Sequence, residues 1–105
     1  MFNEEIIKKV IYDTVPADLI DQVIVFGSRA RNEETKDSDT DICIIFKDEL
    51  PREDIKRYRG NLNKIFAFDH HMPTDIIMKS NYVFNRYRGV IGGIEYKIAK
   101  DGVRI

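Results

Sequence analysis

The sequence predicts a small α/β (α+β) domain in which a mixed β-sheet is flanked by helices. Three short runs of β-branched and aromatic residues have the composition of buried strands, at residues 23–26, 41–46 and 75–78. Three other segments space their apolar residues as helices do, at residues 4–14, 51–66 and 94–99. Because strands alternate with helices along the chain, we expect the helices to pack on the faces of one sheet.

The first element is a helix predicted over residues 4–14, with its apolar residues on one stripe: Ile6, Ile7, Val10, Ile11 and Thr14. Asn3 is a suitable N-cap, and Pro16 ends the helix or starts a new element. The strand Val23–Phe26 follows, and Gly27-Ser28 breaks it.

The second strand, Asp41–Phe46, is apolar without alternation after its first residue, which predicts burial on both faces of the sheet. The helix predicted over residues 51–66 has Pro51 at its first position and one apolar stripe: Ile55, Tyr58, Leu62, Ile65 and Phe66. The third strand is Asp75–Met78.

The last third of the chain has weaker signals. Residues 81–88 show no clear period. A helix is predicted over residues 94–99, with Gly102 as its cap, and residues 103–105 are expected to add a short edge strand.

Composition bounds the function of this chain. Its 105 residues carry 17 Lys and Arg against 18 Asp and Glu, a balance that argues against a dedicated nucleic-acid binder. A lone cysteine, Cys43, excludes an internal disulfide framework and a multi-cysteine zinc site. The charged start resembles no signal peptide, and no apolar run approaches the ~20 residues that span a bilayer. We therefore expect a single cytoplasmic domain over residues 1–105.

Three acidic residues are candidates for a metal site. Asp39 and Asp41 head an apolar strand two residues apart, so they point to the same side of it. Two adjacent carboxylates repel each other unless a cation lies between them, and Mg²⁺ or Mn²⁺ would remove that cost. Asp75 heads another apolar strand, and a neighbouring register would bring all three carboxylates together. Such a cluster can hold the two cations that serve phosphoryl and nucleotidyl transfer.

A phosphate cradle precedes these acids. Gly27 allows close backbone approach, Ser28 supplies a hydroxyl and a candidate helix start, and Arg29 adds positive charge. Metal-holding acids and a phosphate cradle within one fifteen-residue segment, residues 27–41, point to a nucleoside triphosphate.

Gly27-Ser28, ten residues, and then Asp39-x-Asp41 resemble the signature of the minimal nucleotidyltransferases of the DNA polymerase β superfamily. Asp75, within Thr-Asp-Ile-Ile, falls where that family carries its third carboxylate. One departure is Asn32, which stands where a glycine is common.

The resemblance implies a polymerase β-like nucleotidyltransferase fold that binds ATP with Mg²⁺. Asp39 and Asp41 would hold the metals, Asp75 would assist the attacking group, and Gly27-Ser28 would hold the triphosphate. Many stand-alone members of this family are antitoxins paired with a HEPN-domain RNase toxin. Some of them transfer AMP to a tyrosine of the toxin.

Two other metal hypotheses are disfavoured. The series Asp37-x-Asp39-x-Asp41 mimics the start of an EF-hand loop, but Ile42 and Asp48 stand where that loop needs Gly and Glu. His70 and His71 are adjacent in sequence, a poor spacing for two ligands of one metal, so we expect an exposed pair.

Three functions remain open on the sequence. The first is an enzyme that moves a nucleoside monophosphate from an NTP to a hydroxyl on a partner protein. The second is a non-catalytic nucleotide-binding module that neutralises a partner toxin by contact. The third is a subunit that adds nucleotides to RNA or to a small molecule, of which the RNA version fits poorly with the charge balance.

Overall fold

The computed structural model describes residues 4–27 and 40–105. Its elements, in chain order, are α1 (Glu4–Thr14), a 3₁₀ turn (Ala17–Leu19), β1 (Ile20–Phe26), β2 (Thr40–Phe46), α2 (Arg52–Lys64), a π-helical turn (Ile65–Asp69), β3 (Thr74–Ser80), α3 (Asn81–Tyr87), α4 (Ile94–Asp101) and β4 (Val103–Arg104). None of the helices in these two stretches is long and apolar enough to cross a membrane.

The strands form a mixed sheet in the order β3-β2-β1-β4. β1 runs antiparallel to β2 and to β4, whereas β2 and β3 are parallel. A parallel pair needs a crossover connection, and α2 with its π-helical turn provides it. The predicted class, a small mixed sheet flanked by helices, is confirmed.

The sheet lies between two layers of helices. Side chains that alternate along β1 and β2 divide between two apolar clusters. On one face, the cluster includes α1 and α2 residues such as Ile7, Ile11 and Leu62. On the other face, Ile24, Phe26, Cys43 and Ile45 pack against Phe84 of α3 and Ile98 of α4. Every residue from Ile42 to Phe46 is at most 1% exposed, which confirms the predicted burial of β2 on both faces.

The predicted second helix needs correction at both ends. Pro51 has extended backbone (ψ 143°) and caps α2, so the helix starts one residue later, at Arg52. α2 ends at Lys64, and the chain widens into the π-helical turn from Ile65 to Asp69 instead of continuing as α-helix to residue 66.

The structure also defines the elements in the last third of the chain, which the sequence predicts only weakly. Residues 81–87 form α3, whose N-cap Ser80 accepts a hydrogen bond from the Val83 amide at 3.2 Å. Gly102 ends α4 as predicted, but at φ −76° it does not adopt the left-handed conformation of a typical glycine cap. Glycine is needed because a Cβ there would contact Ile24 Cγ2 and the Ile98 carbonyl.

Candidate active site

Two of the predicted carboxylates lie side by side in the sheet. Asp41 is the second residue of β2, Asp75 is the second residue of β3, and their Cα atoms are partners in the parallel register. Neighbouring strands lie ~4.8 Å apart, and paired residues project to the same face. The two carboxylates therefore share one face at the end of the sheet where both parallel strands begin.

The face that carries them is the one covered by α3 and α4. Cys43 and Ile45 follow Asp41 at two-residue steps and belong to the cluster on that face. Asp41 is half-buried and Asp75 is exposed. The two carboxylates therefore lie at the border of the apolar cluster, and the exposed Asp75 is accessible to a ligand.

Gly27 lies beside this pair. Phe26, the last residue of β1, is the cross-strand partner of Asp41, so the chain leaves the sheet next to the Asp41 side chain. Gly27 has φ +77°, and a Cβ built on it would overlap the Asp41 carboxylate oxygen Oδ2. Only glycine meets both conditions, the left-handed backbone and the close approach.

The two acidic strands begin together because the backbone ties them at this edge. The Thr40 amide donates a hydrogen bond to the Pro73 carbonyl at 3.0 Å, and Thr40 is 2% exposed. Thr74, its partner in β3, donates through its hydroxyl to Asn63 Oδ1 of α2 at 3.3 Å. These bonds fix the relative position of the two carboxylates.

The remaining predicted residues, Ser28, Arg29 and Asp39, lie outside the described residues. Within residues 4–27 and 40–105, no group of three His, Cys, Asp or Glu side chains is placed to hold a metal ion. The described pair supplies carboxylate oxygens on one face, the donor type that Mg²⁺ and Mn²⁺ prefer, so these residues fit a divalent cation. The three-carboxylate, two-metal arrangement stays a prediction.

The structure adds a charged pair on the same face that the sequence analysis does not predict. Lys79 Nζ lies 3.9 Å from Glu95 Oε1, and Glu95 is 8% exposed. Burial raises the pKa of the nearby Cys43 thiol to about 12, with Glu95 adding to the rise and Lys79 opposing it. The period-two series 75, 77, 79 in the sequence is the signal that places Lys79 on the face of Asp75.

His70 and His71 are both exposed, as predicted. His71 has φ +51°, a left-handed conformation in the connection between the π-helical turn and β3.

Comparison with protein families matches residues 4–99 to the model of the nucleotidyltransferase domain. The chain belongs to the nucleotidyltransferase domain family. This membership confirms the transferase class and the resemblance drawn from the Gly-Ser and Asp-x-Asp residues. No significant match is found among curated protein sequences.

Solved structures similar to this nucleotidyltransferase come from toxin–antitoxin complexes. A toxin–antitoxin structure with AMP-PNP has a TM-score of 0.71 and 20% identity, over 98% of this chain and 72% of that one. A double aspartate-to-glutamate mutant of the toxin–antitoxin MntA-HpeT has a TM-score of 0.70 and 18% identity, over 98% and 72%. Another mutant of that complex has a TM-score of 0.65 and 20% identity, over 99% and 71%. At these identities the likeness establishes the fold.

Proposed function

We propose that this nucleotidyltransferase transfers a nucleoside monophosphate, AMP, from ATP-Mg²⁺ to a hydroxyl group on a partner protein. We further propose that the partner is a HEPN-type RNase toxin, so that the chain acts as its antitoxin in the cytoplasm. The observation that carries the proposal is the register that sets Asp41 beside Asp75 next to the left-handed Gly27.

Each of these residues has a role that follows from its chemistry. Asp41, with Asp39, would hold the metal, and the Gly27-Ser28 backbone with Arg29 would hold the triphosphate. A bound divalent cation supplies charge neutralisation for the phosphate oxygens. Asp75 is exposed at the edge, where its carboxylate can accept the proton of an incoming hydroxyl.

The transfer balances without a further reagent. The acceptor oxygen forms a bond to the α-phosphorus, the bond from that phosphorus to the bridging oxygen breaks, and pyrophosphate leaves. The hydroxyl proton passes to Asp75 and then to solvent.

Two of the similar structures support the choice of nucleotide and partner. One toxin–antitoxin complex was solved with AMP-PNP, an analogue of ATP. Another was solved with two aspartates replaced by glutamate, in a complex of an antitoxin with its toxin.

The test is transfer of label from [α-³²P]ATP to a purified HEPN-type toxin in the presence of Mg²⁺. Label on the toxin is expected with the unaltered chain and should fall by about 100-fold or more in Asp39→Asn, Asp41→Asn and Asp75→Asn, since loss of a catalytic group costs on that scale. Asp13→Asn is the matched control, because Asp13 pairs with Lys9 on the exposed side of α1. It should transfer normally.

Neutralisation of the toxin's RNase activity separates the proposal from the non-catalytic alternative. If the Asp39→Asn/Asp41→Asn double variant still neutralises the toxin, the chain is a binding module and the enzymatic proposal is wrong. Transfer of label to RNA in place of the toxin would likewise contradict the proposed acceptor.

A further inference from the structure

An apolar surface lies where α3 turns into α4. Four large apolar side chains are exposed within eight residues: Tyr87 by 44%, Val90 by 52%, Ile91 by 82% and Ile94 by 38%. We call these four residues the α3–α4 patch. Scattered exposed apolar residues are normal, but four concentrated in one short segment are a candidate interaction surface.

Two backbone turns define the conformation of the segment that carries the patch. The Val90 amide donates to the Tyr87 carbonyl at 3.0 Å, and the Gly93 amide donates to the Val90 carbonyl at 3.1 Å, so two consecutive turns fold the segment back. Gly92 has φ +92°, which suits glycine, and its missing side chain faces open space. Beside these turns a groove of about 510 Å³ runs along α4. Ile94 of the patch lines it, together with Gly92, Gly93, Tyr96, Lys97, Lys100 and Asp101.

Basic side chains outnumber acidic ones around the patch. Lys97 and Lys100 line the groove, and Arg86 is exposed next to Tyr87, with its guanidinium 5.8 Å from the ring centre. Residues 79–105 contain six Lys and Arg against two acidic residues, whereas residues 1–78 contain eleven against sixteen. One of those two acids, Glu95, is buried against Lys79, and the other, Asp101, lines the groove beside Lys97 and Lys100. The segment that carries the patch is thus basic within a nearly neutral chain.

We propose that the α3–α4 patch docks an acidic amphipathic helix of the protein that carries the acceptor hydroxyl. An apolar groove bordered by lysines complements a helix with an apolar stripe between acidic residues. Aliphatic side chains at the centre favour a protein over a nucleic acid, whose recognition relies on phosphate contacts and base stacking. Tyr and Arg are also the residues enriched at protein interfaces.

The position of the patch suits the docking of this partner. The identity of the partner rests on the proposed function. α3 and α4 cover the sheet face that also carries Asp41 and Asp75. A helix docked on their outer surface brings its protein to the side of the sheet where the two carboxylates open to solvent.

Two fluorescein-labelled helical peptides test the surface directly. One has a leucine stripe flanked by glutamates, and the other has the same stripe flanked by lysines. The glutamate peptide is expected to bind at least about tenfold more tightly, by fluorescence anisotropy, with backbone amide shifts confined to residues 86–101. Ile91→Asp, and separately Lys97→Glu with Lys100→Glu, should each weaken it by about tenfold or more.

Matched controls exist on the other side of the sheet. Phe68 is 75% exposed in the π-helical turn, and Lys56 is exposed on α2, so Phe68→Asp and Lys56→Glu should bind the peptide normally. Equal binding of the two peptides, or amide shifts elsewhere, overturns the proposal. Self-association that Ile91→Asp abolishes in sedimentation would show that a second copy covers the patch, and preference for a single-stranded RNA oligonucleotide would also overturn it.

Different variants test the docking proposal and the proposed function, so a failure of one can be told from a failure of the other. Asp41→Asn should abolish transfer to the toxin and leave peptide binding intact. Ile91→Asp should leave ATP-Mg²⁺ binding intact and lower transfer by about tenfold or more. Peptide binding without any transfer would refute the enzymatic function alone, whereas full transfer by Ile91→Asp would refute the docking role alone.

Discussion

At Gly27, the absence of one carbon atom lets the end of β1 pass directly against the Asp41 carboxylate. The same residue has a positive φ that other residues reach only with strain. Both constraints act on a position next to the candidate site, so a side chain at residue 27 would displace the Asp41 carboxylate.

Gly27→Ala should therefore lower the free energy of unfolding by about 1–3 kcal/mol and weaken ATP binding, because Asp41 must move away from the new methyl group. Gly60→Ala is the matched control, and it is expected to raise the free energy of unfolding. A Cβ on Gly60, inside α2, would have no described neighbour within 4 Å, so alanine should stabilise by up to about 1 kcal/mol. Urea unfolding of both variants measures this, and equal effects would contradict the steric argument.

Cys43 is expected to be inert in the native protein. Its side chain is fully buried, and burial raises the pKa of its thiol to about 12, so little thiolate forms at neutral pH. A thiol reagent such as DTNB at pH 8 should react with Cys43 only at the rate at which the protein unfolds. Fast reaction without denaturant would show that the cluster beneath Asp41 opens in the native state.

Among the elements, α3 depends on a single side-chain cap. Ser80 Oγ accepts the Val83 amide hydrogen, and the helix is only seven residues long. Ser80→Ala should lower the free energy of unfolding by about 1 kcal/mol, whereas Ser80→Asp, which keeps an acceptor, should retain most of it. Thermal unfolding of the two variants checks the cap, and identical losses would rule it out.

An element can be predicted from sequence when its composition or its apolar period differs clearly from that of the flanking residues. β2 and the stripe of α1 are distinct in composition and period, and the sequence locates both to within one residue. The sequence does not locate α3, because a helix of seven residues has only two turns and the apolar residues after the Ser80 cap follow no regular helical period. The π-helical turn escapes prediction because Ile65 and Phe66 continue the apolar stripe of α2, and the sequence period does not reveal a widened backbone.

At the scale of the molecule, the pairing of Asp41 with Asp75 depends on topology rather than on local pattern. Thirty-four positions separate them, and their meeting requires that β3 lie parallel to β2 through the α2 crossover. The sequence offers both acids as strand starts but not the strand order. The metal-binding, catalytic and nucleotide-binding roles stay predictions for all six site residues: Gly27, Ser28, Arg29, Asp39, Asp41 and Asp75.

Ligand-linked stability gives a whole-molecule test of the site. ATP with Mg²⁺ should raise the melting temperature, because a ligand that binds only the folded state stabilises it. EDTA should remove most of the increase, and Asp41→Asn should abolish it, since the triphosphate then lacks its bound cation. An undiminished shift with EDTA in differential scanning fluorimetry would contradict metal-dependent binding.

The antiparallel pairing of Phe26 with Asp41 has a consequence for how this chain can change over evolutionary time. The sheet holds Phe26 and Asp41, which flank residues 27–40, within about 4.5–5.5 Å of each other. Because the entropy of closing a loop grows only slowly with its length, doubling the length of the connection between these two strands should cost only about 0.6 kcal/mol in closure entropy. Four of the six predicted site residues, Gly27, Ser28, Arg29 and Asp39, lie in this connection. We therefore expect related chains to differ in the length and composition of this connection while they keep the pairing of β1 with β2.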